Sequence, residues 1–223
     1  MTAAISVRDL FFQYPRSAFY LDIEFLTFHP GRVYVIHGKN GSGKTTLSKL
    51  LCGILRSEEG EIALFGKDLR HMNLGQIGEH VGYLFQEPAM QLFTATVKEE
   101  MTFVSDFRGE NRENVKKRAE ELLGRFQLEH LKERSVYRLS RGEKQRLALC
   151  AILMSGLRFL ILDEPTTGLD EKNRKILYDM VDQLSREGIG VAIVSHSKEL
   201  LRRYGERGVH VEGGKAVQYG PAG

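Results

Sequence analysis

Apolar positions along the chain follow two periods, one of strands and one of helices. Ile5–Phe12 and Phe19–Phe28 alternate partly, as half-exposed strands do, and His29-Pro30-Gly31 ends the second run with a turn signal. Val33–Ile36 is a short, wholly apolar strand that feeds a glycine-rich stretch. From Lys44 to Leu55 the spacing becomes helical, with Leu47, Leu50, Leu51, Ile54 and Leu55 on one side. Gly60–Gly66 reads as another strand between glycine turns. Glu113–Phe126 predicts an amphipathic helix carrying Val115, Ala119, Leu122, Leu123 and Phe126 on one face, and a second helix fits Arg141–Met154. Alternation of strand and helix returns with Phe159–Leu162, the helix Lys172–Ser185 and the strand Val191–Val194. Val209–Val217 reads as a hairpin turning at Gly213-Gly214. Strands interleaved with helices in this way predict an α/β fold with a mostly parallel sheet, interrupted by a helical lobe over residues 87–156.

The 223 residues suit a single domain. Contents of 42% hydrophobic and 27% charged residues are those of an ordinary globular protein, and a net charge of +3 gives no reason to expect nucleic acid as a partner. Cys52 and Cys150 lie in apolar, helix-like surroundings and read as small buried hydrophobes, without the spacing of a zinc site. The opening residues lack the basic flank and apolar run of a secretion signal, and no uncharged apolar stretch approaches the ~18 residues of a membrane span. The expectation is a chain held at any membrane by another protein. Arg202, Arg203 and Arg207 read as a solvated face.

The chemistry begins at Gly38-Lys39-Asn40-Gly41-Ser42-Gly43-Lys44-Thr45-Thr46, a full phosphate-loop pattern set between an apolar strand and a helix. Glycines let successive backbone N–H groups turn inward, and the next helix points its free N–H groups at the same place. Lys44 supplies a mobile charge for the β- and γ-phosphates of a nucleoside triphosphate, and the Thr45 hydroxyl suits magnesium. Phe159–Glu164 is an apolar strand ending in two carboxylates, so Asp163 can stand beside that metal and Glu164 beside the attacking water.

Further stretches carry a resemblance. Leu139-Ser140-Arg141-Gly142-Glu143 resembles the signature motif of ABC ATPases, and Asp163–Asp170 their Walker B and D-loop. Val194-Ser195-His196 resembles their switch-histidine strand and Gly82–Pro88 their Q-loop. These stand in family order over nearly the whole chain. The resemblance implies a P-loop core of residues 1–86 and 157–223, including an N-terminal antiparallel β-subdomain, and a helical subdomain of residues 87–156. It also implies MgATP bound between two such chains, homodimeric or heterodimeric, each ATP held by the P-loop of one and by Ser140 and Gly142 of the other. Glu164 would orient and deprotonate water, His196 would touch the γ-phosphate, and Gln86 would reach metal and water. The metal would be held by Thr45, Gln86 and Asp163. Tyr14 stands where the family places an adenine-stacking aromatic, with Phe12 as its rival, and Asp170 would lie at the dimer seam. The signature departs from the family at Arg141, where a glycine is usual.

Phe85–Glu100 resembles the Q-loop segment of energy-coupling-factor and cobalt-type importers, which take up vitamins and metal ions, although Ala89-Met90 stand where that group has an acidic pair. A subunit of that kind would sit at the cytoplasmic face of the membrane against an integral membrane partner. Non-transport ABC ATPases acting on ribosomes or DNA, and subunits of other transporters, are the alternatives.

Overall fold

The broken alternation of the first strand is a β-bulge. In the computed structural model, which describes residues 2–57 and 59–221, β1 (Ile5–Gln13) and β2 (Tyr20–Phe28) form an antiparallel hairpin. β3 (Val33–His37) leads through the glycine-rich loop into α1 (Lys44–Leu51), and β4 (Glu59–Leu64) returns antiparallel to β1. The register of β1 on β4 shifts between Arg8 and Phe11, and Asp9 takes a φ of 46°. The extra residue lets Ile5 and Val7 before it, and Leu10 and Phe12 after it, all face the core. The bulge passes over Gly60, where a Cβ would lie 2.3 Å from the Asp9 carbonyl oxygen.

After β5 (Lys67–Asp68) and α2 (Leu74–Gly78), β6 (Val81–Leu84) opens the second half. Three helices then intervene, α3 (Val97–Arg108), α4 (Arg112–Arg125) and α5 (Arg141–Leu153). The chain resumes with β7 (Phe159–Asp163), α6 (Glu171–Arg186), β8 (Gly190–Val194) and α7 (Lys198–Tyr204), and closes on the hairpin β9 (Gly208–Glu212) and β10 (Lys215–Tyr219).

All strands join one sheet in the order β5-β4-β1-β2-β10-β9-β3-β8-β7-β6. The expected parallel order holds from β9 to β6, and the strands from β5 to β2 form an antiparallel flange. The two parts meet where β10 pairs with β2 at Lys215 and Asp22 alone. Further along this seam the Gln218 carboxamide does the work of a ladder, accepting from the Thr27 N–H at 2.8 Å and donating to the Thr27 carbonyl at 2.5 Å. Apolar packing lies on both faces of the parallel part. Phe159 and Ile161 of β7 join the cluster around α1, and Leu160 and Leu162 join the cluster around α3–α6.

The first helix is shorter than its periodicity predicts. It stops at Leu51, because Gly53 turns the chain with a φ of 70°, and Ile54 is left 42% exposed. Cys52 and Cys150 are buried and unpaired, and burial pushes the Cys52 thiol up to about 11. Among the described residues no helix is long and apolar enough to cross a membrane.

Register decides where the chemistry gathers. Ile36 of β3 pairs with Val194 of β8, Val194 with Asp163 of β7, and Leu162 with Leu84 of β6. The segments that follow these residues therefore leave the sheet side by side: the glycine loop, Ser195-His196, Glu164 and Phe85-Gln86. That edge, beyond the carboxyl ends of parallel strands, is where open α/β sheets bind ligands.

Candidate functional site

Six of the seven α-helices among the described residues start with a side-chain cap, from Asn73, Thr96, Asn111, Ser140, Asp170 and Ser197. Helix α1 alone has none. It follows Gly43, whose φ is 106° and whose Cβ, if present, would lie 2.6 Å from the Phe19 ring. The first N–H groups of α1 are thus left for a ligand, in a cavity of about 420 Å³ lined by Tyr14, Phe19, Gly41, Gly43, Lys44, Thr45 and Thr46. An anion is the ligand such donors suit.

Lys44 differs from its expected mobility. It is only 7% exposed, and its Nζ donates to the carbonyls of Gly38 at 3.0 Å and Lys39 at 2.9 Å. Two of its three donors hold the loop closed around the charge, and a third is left over. Gly38 lies tight against β9, with no room for a Cβ beside the Val211 carbonyl. Asn40 and Gly41 form the exposed crest of the loop, and the Ser42 Oγ is buried inside it without a hydrogen-bond partner among the described residues.

The far wall of the cavity is aromatic. Tyr14 lines it and reaches Thr46 through its hydroxyl at 3.3 Å, whereas Phe12 is buried and packs edge-on beneath Tyr14 at 4.8 Å. Burial removes Phe12 as a stacking surface. Phe19, which the sequence pattern did not single out, lines the cavity beside Tyr14.

At the start of α1, the Thr45 hydroxyl donates to Asp163 Oδ1 at 3.4 Å. Tyr83 donates to Asp163 Oδ2 at 2.8 Å and shares a 3.0 Å bond with Ser48. Burial raises the pKa of Asp163, against the pull of the Tyr83 and Thr45 bonds, so the charged carboxylate lacks full compensation from its protein neighbours. Two hard oxygens this close fit a divalent cation such as magnesium. No group of three or more His, Cys, Asp or Glu is assembled as a metal cage among the described residues, so ligand and water oxygens would complete the shell.

Glu164 follows Asp163 with a φ of 46°, a conformation that costs a non-glycine residue about 1–3 kcal/mol. Its N–H bonds to the Val194 carbonyl at 2.9 Å. Its carboxylate is fixed from β8: Oε1 lies 2.7 Å from His196 Nδ1, and Oε2 accepts from the buried Ser195 hydroxyl at 3.1 Å. Glu164 is nearly enclosed at 12% side-chain exposure, and His196 is exposed. Gln86 is also exposed. Its loop is anchored by Gln91, which accepts from the Phe85 N–H and donates to the Tyr83 carbonyl, each at 2.8 Å.

Ser140 and Gly142 lie outside this cavity. Ser140 caps α5, and its N–H and hydroxyl both donate to Glu143 Oε2, at 2.7 and 2.8 Å. Burial opposes the charge on Glu143, but these bonds outweigh it and hold its pKa low. Any anion meeting Ser140 must draw its hydroxyl from Glu143. Gly142 packs on α6, where a Cβ would sit 2.5 Å from Asn173 Oδ1. Asp170 caps α6 by accepting from the Asn173 N–H at 2.8 Å.

The family model described as ABC transporter matches residues 22–167. A Pyrococcus horikoshii protein carrying the name of an ABC transporter ATP-binding protein is 35% identical over 216 residues, covering 97% of this chain and 83% of that one. A similarly named protein of Caldanaerobacter subterraneus is also 35% identical over 216 residues, and there the chain spans 38% of the relative's length. The energy-coupling factor transporter ATP-binding protein EcfA1 of Thermotoga maritima is 40% identical over 174 residues, covering 78% of this chain and 66% of EcfA1. Among solved structures, cbiO1 of Clostridium perfringens, described as part of the ABC transporter complex cbiONQ, superposes with a TM-score of 0.89 at 28% identity. That match covers 97% of this chain and 88% of cbiO1.

Proposed function

The chain belongs to the ABC transporter family and is an ATPase of that family, and from this premise we propose that it energises an importer of the energy-coupling-factor or cobalt type, taking up a vitamin or a metal ion. The observation that carries the ATPase site is the uncapped start of α1 opening into a cavity walled by Tyr14 and Phe19, with Asp163 bonded to Thr45 beside it. Similarity to EcfA1 and cbiO1 supports the importer class.

On this reading the adenine stacks on Tyr14 with Phe19 alongside, a use that needs only an exposed π face. The phosphates rest on the N–H groups of residues 43–46, at the uncapped start of α1, and Lys44 adds its charge. Thr45, Asp163 and Gln86 hold Mg²⁺, whose charge offsets that of the phosphate oxygens. Glu164 accepts the proton of the attacking water, oriented by Ser195 and His196. Ser140 and Gly142, outside their own chain's cavity, serve the ATP of a second ABC chain. An integral membrane subunit holds the pair at the cytoplasmic face.

Two measurements test this. The tagged chain, purified from detergent-solubilised membranes, should bring down an integral membrane protein; recovery with ribosomes or DNA instead would reject the transport role. Ser140→Ala should leave MgATP binding to the isolated chain intact and slow turnover, because the lost contact forms only when two chains close. Equal loss of monomer binding would mean that Ser140 serves its own chain.

A further inference from the structure

Arg141 is the one residue of the signature turn that departs from the family pattern, and its side chain connects three segments that the backbone keeps apart. Nη2 donates to the Gln86 carbonyl at 3.4 Å, and Nη1 lies 3.5 Å from Glu87 Oε2. The rest of the guanidinium lies over Gly168, where a Cβ would come within 2.9 Å of Arg141 Nε. Gly168 itself has a φ of 73°. A cation at the first position of a helix stands at the wrong end of its dipole. Glu87 offsets that cost from the neighbouring loop.

The contacts are long and Arg141 and Glu87 are 40% and 50% exposed, so each is weak. Their arrangement is what matters. The arginine grips the backbone carbonyl of Gln86 and leaves the carboxamide side chain exposed. It does so from the residue next to Ser140, while Gly142 seats the same helix start on Asn173.

We propose that Arg141 is a positioning residue that ties the Gln86–Glu87 loop to the start of α5, so that the loop serving one nucleotide and the serine serving the other keep a fixed relation within the chain. The inference rests on the roles given above to Gln86 and Ser140. It also gives the departure at Arg141 a use: a glycine there could form none of these contacts.

A charge exchange tests it. Arg141→Glu and Glu87→Arg should each lower kcat by about two- to fivefold, the range of an exposed pair, with MgATP affinity of the isolated chain unchanged. The double variant carrying both should retain a higher kcat than either single variant, since it restores the pair in reverse. Arg141→Gly should speed amide exchange over residues 85–89, read without nucleotide and therefore independent of hydrolysis. Unchanged kcat in both single variants, additive losses in the double variant, or unchanged exchange in Arg141→Gly would each overturn the proposal. A wild-type chain that binds no MgATP would instead reject the functional reading, and the exchange measurement would still decide whether the contact holds the loop.

Discussion

Glu164→Gln is expected to abolish most ATP hydrolysis while leaving ATP bound. Removal of a positioned general base costs about 10²–10⁴-fold in rate. The amide keeps the size of the carboxylate and can still accept from the Ser195 hydroxyl, so the strained turn at residue 164 should persist. Lys44, Thr45 and Asp163 are untouched, so affinity should hold. With hydrolysis stalled, ATP stays between two chains and an ATP-dependent dimer accumulates. Size-exclusion chromatography with MgATP, run beside phosphate release, reads both effects. Near-normal hydrolysis would remove Glu164 from its role. Lost hydrolysis with no dimer would leave the chemistry standing and point to a different ABC chain as the partner.

The second large effect is expected from Lys44→Ala, on binding. Hydrogen bonds to a charged group contribute about 1.5–3 kcal/mol each, so loss of the ammonium should weaken MgATP by roughly tenfold to more than a hundredfold. The structure adds a reason beyond the lost charge. Lys44 also bonds the carbonyls of Gly38 and Lys39, and without it the loop loses both of these ties. Calorimetric titration of wild type and variant decides the matter, and equal affinities would end the assignment of this loop to phosphate.

How much of this could be read from the sequence depends on how local each feature is. The phosphate loop occupies nine consecutive residues between a strand and a helix, because its chemistry needs successive backbone N–H groups. It was legible for that reason. The acidic pair was legible because a buried strand, Phe159–Asp163, ends on it. The Tyr83–Asp163 bond joins residues 80 apart, and the anchoring of the Q-loop by Gln91 and the place of Phe19 in the cavity depend on tertiary packing. Helices α2 and α7 escaped because a period needs repeats. They have five and seven residues, with a single buried residue each, Ile77 and Leu200. The helical spacing overruns α1 because Ile54 and Leu55 continue it, while the turn at Gly53 outweighs two apolar side chains. The bound state of Lys44 was hidden for another reason: a motif gives a residue's reach and charge, but not what its ammonium holds before a ligand arrives.

The seam between β2 and β10 gives the cavity a mechanical character. Tyr14 and Phe19 belong to the antiparallel flange, and the loop and α1 belong to the parallel half. Besides shared apolar packing, the described residues join the two halves in the sheet by one backbone pairing and the Gln218 clip on Thr27, and beside the cavity the Tyr14 hydroxyl bonds Thr46. A nucleotide touching both walls therefore works as a cross-tie over this joint. Part of its binding free energy goes into holding the halves in register, and base and phosphate recognition become thermodynamically linked. Gln218 lines no part of that cavity, yet it is one of the fastenings against which that linkage works. A looser clip would leave each half able to grip its own portion of the ligand and would lower the advantage of having the two portions joined.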